Sequence, residues 1–123
     1  ANIACFQELF NLPWFPKGRD EEVFGLAEGI NGDTVNAMRE KAKSAGVVVL
    51  LPIFEKDGAQ FYNSCVFIDE KGEIAGVYRK SHVPDIPLWE EKFYFSPGDR
   101  GFPVFKTGYG IIGIQISLDN LFP

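Results

Sequence analysis

A chain of 123 residues has room for one domain, or for part of one. Its net charge of −5, with no basic run beyond Arg79-Lys80, excludes nucleic acid as the main partner. No apolar run approaches the ~18 residues of a membrane span, and an apolar fraction of 46% with twelve Phe against one Met points to a globular chain with an aromatic core or pocket.

Residues 2–7 are a short apolar run bounded by Gln7-Glu8 and predict a buried strand. "NLPWFPKG" (11–18) is loop, because two prolines and a glycine break both helix and strand. Residues 20–27 predict a short helix. A longer helix follows, with Asp33 as its cap and Gly46 as its stop. Val35, Met38, Ala42 and Ala45 lie on one face, and Arg39, Glu40, Lys41 and Lys43 on the other. "VVVLLPIF" then reads as a strand buried on both sides, the sign of an α/β sheet. "AQFYNSCVFID" and "EIAGVYRK" predict antiparallel hairpin strands, because "EKDG" and "DEKG" are turns with a late glycine. Residues 81–101 form a long loop rich in proline, glycine and aromatics, and such loops usually carry function. "FPVFKT" is a short strand. Residues 111–116, "IIGIQI", predict a last buried strand that ends at Ser117 and Asp119.

Cys5 and Cys65 fall within strand-like runs and are expected in the core rather than in a disulfide. The chain opens "ANIACFQELF", without a basic segment or cleavage site. With two unpaired cysteines, this predicts a reducing, cytoplasmic setting. One His and two Cys, widely spaced, give no metal site, so none is expected. Two helices against about six strands leave a sheet under-covered, and both ends of the chain look cut.

Three predicted strand exits carry reactive side chains: Glu8, Lys80 and Ser117. Sites form at the carboxyl ends of strands in α/β sheets because loops converge there. A carboxylate, an ammonium and a nucleophile together suit acyl transfer: the carboxylate moves the proton and the ammonium stabilises the oxyanion. Spacing alone favours the plainer reading, solvated charges at strand ends and a turn serine, because a lone Glu, Lys and Ser are common everywhere.

The surrounding motifs add to this. "CFQELF", "YRKSHVPD", "EEKFYFSPGD" and "GIQISLDNLFP" occur in one order over essentially the whole chain, and together they resemble the carbon–nitrogen hydrolase (nitrilase) superfamily. "KSHVPD" followed by "EKFYFSPGD" is most similar to its N-carbamoylputrescine amidase branch. The resemblance implies an α/β fold, a partial α-β-β-α four-layer sandwich lacking its first strand and helix and its C-terminal half. Residues 1–123 would then be an incomplete domain of that kind. It implies a general base at Glu8, an oxyanion-stabilising lysine at Lys80 and a second, positioning glutamate at Glu91. No cofactor or metal is implied. The substrate would be a small linear amide or N-carbamoyl amine, and the chain a homo-oligomer. Trp89 and Phe95 are candidate walls for an aliphatic substrate, and Asp85, Glu90 and Asp119 are candidate acids beside it.

Ser117 falls where that family has a nucleophilic cysteine. The usual pattern is close to "GICWDQWFP", whereas this chain has "QISLDNLFP", so Gln115, Leu118, Asn120 and Leu121 depart as well. A serine hydroxyl is far less acidic than a thiol and needs a strong, well-placed base. The only histidine, His82, is expected to be a loop residue bonded to backbone. Two expectations stand: an amidohydrolase working through Ser117, or an inactive binding or assembly subunit of the same fold.

Overall fold

The computed structural model describes residues 1–123. A four-stranded sheet in the order β1-β2-β3-β4 is built from β1 (Ile3–Cys5), β2 (Val48–Asp57), β3 (Gln60–Ile68) and β4 (Ile74–Arg79). β1 runs parallel to β2, with helix α1 (Asp33–Ala45) on the crossover; the other pairings are antiparallel. Gly58, at φ 59°, makes the two-residue turn between Asp57 and Gln60 that only a residue tolerant of positive φ allows. This is the expected α/β arrangement.

Period-two alternation sorts the sheet into two faces. Val49, Leu51, Ile53, Val66, Ile68 and Val77 face α1, which buries Val35 and Ala42 against them. Val48, Leu50, Cys65, Phe67 and Tyr78 face the other way. A separate antiparallel hairpin, β5 (Val104–Thr107) and β6 (Gly110–Gly113), covers that side through Phe105, together with Ile114 and Ile116 of the segment after it. The layers are therefore helix, four-stranded sheet and two-stranded sheet. Phe105 stacks on Phe67 at 4.4 Å between ring centres. It fits there because position 76 is glycine; a Cβ would lie 2.6 Å from its ring. A third cluster, Leu9, Phe15, Phe54, Val83, Tyr94 and Phe95, packs the loops over one end of the sheet.

Three details differ from the sequence expectations. Asp33 lies inside the first turn of α1, and Gly32 is the cap. The Glu28 carboxylate accepts from Thr34 N instead, at 3.1 Å, where a side chain at Gly32 would collide with it. Residues 20–27 form a 3₁₀ turn, Glu21–Leu26, capped by Asp20. The "IIGIQI" run is a strand only to Gly113, and Ile111 is 73% exposed. Its apolar run is continuous, but β6 pairs with β5 alone, so one side of it meets no second layer. No helix is long and apolar enough to cross a membrane.

Candidate active site

Lys80 follows directly on β4, and its N–H donates to the Asn63 carbonyl at 2.8 Å, extending the β3–β4 ladder by one pair. That register places Lys80 and Asn63 side by side on the face shared with Tyr78, opposite Arg79. Arg79 anchors the strand end from the other face. It grips buried Glu55 through two bonds of 2.9 and 2.6 Å, reaches Asp57 and Asp99, and lies 3.8 Å over the Tyr62 ring. Glycine at 98 lets the chain pass against the Arg79 carbonyl, where a Cβ would come within 2.0 Å.

The Lys80 side chain is fully buried. Its Nζ donates to Glu91 Oε2 at 2.7 Å and to Glu8 Oε1 at 2.9 Å. Glu8 Oε1 also accepts from Asn63 Nδ2 at 2.7 Å, which leaves Oε2 without a protein hydrogen bond. Glu8 stands in the turn that follows β1, where Leu9 adopts φ 53°, and its side chain is 22% exposed. Glu91 opens the 3₁₀ turn Glu91–Phe93 inside the long loop and is wholly buried. Burial pushes its carboxyl above the ordinary carboxylate range; the Lys80 ammonium opposes this and the Glu8 charge adds to it.

Ser117 follows Ile116 with φ 48°, a left-handed conformation rare for a residue with a side chain. Asp119 holds this turn. Its Oδ2 accepts from Ile116 N at 3.1 Å and from the Tyr78 hydroxyl at 2.5 Å. Its Oδ1 takes the His82 N–H at 2.9 Å and lies 2.8 Å from His82 Nδ1. Burial alone would raise the Asp119 pKa, but the bonds from Tyr78, His82 and Ile116 outweigh it and hold the carboxyl below its ordinary value. Tyr78 is pushed up to about 12, first by burial and then by that same bond. Ser117 and Glu8 line one cavity of about 280 Å³, with Cys5, Pro52, Cys65 and Gln115 on its walls. The Ser117 hydroxyl bonds to no protein group.

Glu8, Lys80 and Glu91 therefore form one bonded cluster, and Ser117 shares a cavity with Glu8. Trp89 lines a second cavity of about 350 Å³ on the other side of Glu8, with Gln7 and Trp14. Phe95, expected as a pocket wall, is core: it is 3% exposed and packs on Phe54 and Phe15. Asp85 and Glu90 turn away from both cavities to Arg19, at 3.8 and 3.1 Å. Asp119, expected beside substrate, has both oxygens occupied by the protein and is 1% exposed. His82 bonds to the Asp119 side chain rather than only to backbone, and its ring stacks on Phe122 at 3.9 Å.

Cys65 is buried as expected, and burial pushes its thiol up to about 12. Cys5 is exposed on the same cavity wall as Glu8. The alternation that would separate Cys5 from Glu8 ends with β1 at Cys5, and the chain turns before Glu8. Asn63 and Trp14 escaped the sequence reading. Asn63 is marked only by standing across from Lys80 in the hairpin register. Trp14, inside "NLPWFPKG", ties that loop to Leu88 O at 3.1 Å. No group of three His, Cys, Asp or Glu side chains gathers as a metal site would need.

The family model for carbon–nitrogen hydrolases matches residues 1–123. The chain is 46% identical to N-carbamoylputrescine amidase of Solanum tuberosum over 124 residues, covering 100% of this chain and 41% of that protein. It is 40% identical to citrullinase of Francisella tularensis, again over its whole length and 43% of that protein. Among solved structures, a carbon–nitrogen hydrolase from Helicobacter pylori G27 aligns with a TM-score of 0.91 at 35% identity, over 98% of this chain and 41% of that one. The chain thus spans about two fifths of the length of these relatives.

Proposed function

The chain belongs to the carbon–nitrogen hydrolase family, and from that premise we propose that it carries the acid–base part of an amidohydrolase site for small linear amides, N-carbamoylputrescine foremost among them. Residues 1–123 are then one portion of a carbon–nitrogen hydrolase domain. The observation that carries this reading is the buried Lys80 ammonium held between Glu8 and Glu91, with Ser117 on the cavity that Glu8 lines.

In this mechanism Ser117 Oγ attacks the carbonyl carbon, and Glu8 Oε2, the oxygen free of protein bonds, takes the hydroxyl proton. The carbonyl π pair moves onto oxygen, where the Lys80 ammonium stabilises it. Glu8 returns the proton to the departing nitrogen as the C–N bond breaks, releasing ammonia from a ureido group. Water, deprotonated by Glu8, then cleaves the acyl-serine ester and restores the hydroxyl. Glu91 keeps Lys80 in place. Trp89 and Trp14 flank the approach to Glu8 and suit an aliphatic chain. The choice of N-carbamoylputrescine is supported by the amidase relative at 46% identity. Citrullinase, at 40%, is named for a different substrate, so the ureido group is the element common to both readings.

One observation favours a second reading, a non-catalytic binding or assembly subunit. A hydroxyl stands at position 117, no histidine bonds to it, and Glu8 is a weak base for so poor an acid. Ammonia release from N-carbamoylputrescine, citrulline and simple amides, by the native chain and by Ser117→Cys, separates the two. Turnover by both supports the hydrolase with Ser117 as nucleophile. Turnover by Ser117→Cys alone makes the native chain a binding member with an intact cluster. Silence from both, with folded protein, sinks the hydrolase reading.

A further inference from the structure

Asn63 carries neither charge nor nucleophile, yet its side chain bonds directly to Glu8. It stands in β3, the inner strand between β2 and β4, opposite Phe54, and its carbonyl takes the Lys80 N–H at 2.8 Å. The residue is 1% exposed. Its Nδ2 donates to Glu8 Oε1 at 2.7 Å, and Lys80 Nζ donates to the same oxygen at 2.9 Å. The orientation of the amide follows from chemistry: an ionised Glu8 only accepts, so Nδ2 faces it. The other end of the amide, Oδ1, is buried and accepts no protein hydrogen bond. A buried acceptor in that state is costly and rare. An apolar side chain at 63 would avoid the cost, so stability alone does not account for an amide there. What the amide supplies is a donor aimed at Glu8.

Glu8 has little else to fix it. It stands in the turn beyond the end of β1, outside the sheet, beside Leu9 at φ 53°. The terminal torsion of a glutamate is broad, so its two oxygens exchange readily. Lys80 reaches it on a flexible four-carbon stem that could follow either oxygen. Asn63 has a short side chain on a strand paired on both sides, which makes it the stiffer donor. With both donors on Oε1, Oε2 is the oxygen without a protein partner. We propose that Asn63 is a positioning residue: by holding Oε1 it fixes the Glu8 carboxylate so that Oε2 takes and returns the proton. This deepens the reading of Glu8 as general base and rests on it. An amide suits the task because it donates without a charge. It orients the carboxylate, whereas a second cation in its place would also weaken the base.

A double-mutant cycle between Asn63 and Glu8 tests this without turnover. The quantity measured is the rate at which iodoacetamide alkylates the thiol introduced by Ser117→Cys in the full chain, followed by peptide mapping. Asn63→Leu should slow labelling by about tenfold while Glu8 is present. In the Glu8→Gln background the same change should have no effect, because the amide acts only through Glu8. The urea midpoint of Asn63→Leu should stay at or above that of its parent, since the orphan acceptor leaves together with the donor. Asn63→Ala takes its place in the cycle should the leucine variant not fold. Slowing of equal size in both Glu8 backgrounds, with a lowered midpoint, marks Asn63 as a structural residue and overturns the proposal. Labelling that slows with Glu8→Gln but not with Asn63→Leu keeps Glu8 as the base and refutes the role of Asn63 alone. A thiol indifferent to Glu8→Gln removes Glu8 as the base, and the proposal falls with that reading.

Discussion

Lys80→Met keeps the length of the side chain and deletes its charge. Two carboxyl groups then lose their partner, at 2.7 and 2.9 Å. Removing one member of a buried ion pair costs about 3–5 kcal/mol, because the remaining charge is stranded. The lower end applies here. Glu8 is 22% exposed and recovers some hydration, and burial already raises the Glu91 pKa, which lessens the charge left stranded. About 3 kcal/mol is therefore expected, or roughly 10 °C in Tm for a domain of this size. The loss has a pH signature. Without the ammonium the buried Glu91 carboxyl is pushed further above its ordinary range when folded, whereas the unfolded chain ionises it near pH ~4.3. The folded state then binds more protons than the unfolded one, so the penalty grows from pH 5 to pH 8. Urea unfolding of the native chain and Lys80→Met at several pH values measures both quantities. A penalty below ~1 kcal/mol, or one that shrinks as pH rises, would refute a buried ammonium serving two acids.

Gly98→Ala forces a Cβ to within 2.0 Å of the Arg79 carbonyl with backbone on both sides; denaturant unfolding should show a loss of about 2–3 kcal/mol, and a neutral result contradicts that close approach. Asp119→Asn leaves at least one donor among Ile116 N, His82 N and the Tyr78 hydroxyl facing an amide N–H, so about 2 kcal/mol should go at pH 7. The native Asp119 pKa lies below its unfolded value of ~3.9. The native advantage over Asp119→Asn is therefore full above that value and lost as pH falls through the folded one, and acid unfolding curves that stay parallel would contradict it. Leu88 sits at φ 70° as the third residue of a turn closed by Trp89 N to Ile86 O at 2.8 Å, with its side chain exposed. Leu88→Gly relieves about 1–2 kcal/mol of strain against ~0.5–1 kcal/mol of glycine entropy, so Tm should hold or rise slightly, and a clear fall means that the side chain makes contacts of its own.

The hairpin β2–β3–β4 was legible because alternation and turn glycines are local signals, and the structure keeps them nearly residue for residue. Helix α1 was legible too, except for its cap: the carboxylate that serves its first turn is Glu28, five residues upstream of Asp33, which no capping pattern anticipates. Cys5 and residues 111–116 were read as core because apolar runs look alike whether or not a second layer covers them. Burial depends on which strands pair, and the edge position of β1 and β6 is a property of the topology. The cluster was legible only in part. Glu8, Lys80 and Glu91 stand out through the motifs around them. Asn63 joins them through register, a relation between two strands that neither strand shows alone. Phe95 and Asp85 were misplaced for a related reason: the direction of a side chain within a long loop is set by packing, and an aromatic loop gives no period from which to read it.

The most direct test of the central claim, that position 117 shares a cavity with Glu8, the partner of Lys80, is the alkylation rate of the thiol introduced by Ser117→Cys. Peptide mapping by mass spectrometry separates it from the native, exposed Cys5. A cysteine delivered to a base and an ammonium should react faster than Cys5, and Glu8→Gln in the same background should slow it by about tenfold or more. A thiol at 117 that labels no faster than Cys5, or is indifferent to Glu8→Gln in folded protein, would contradict the account.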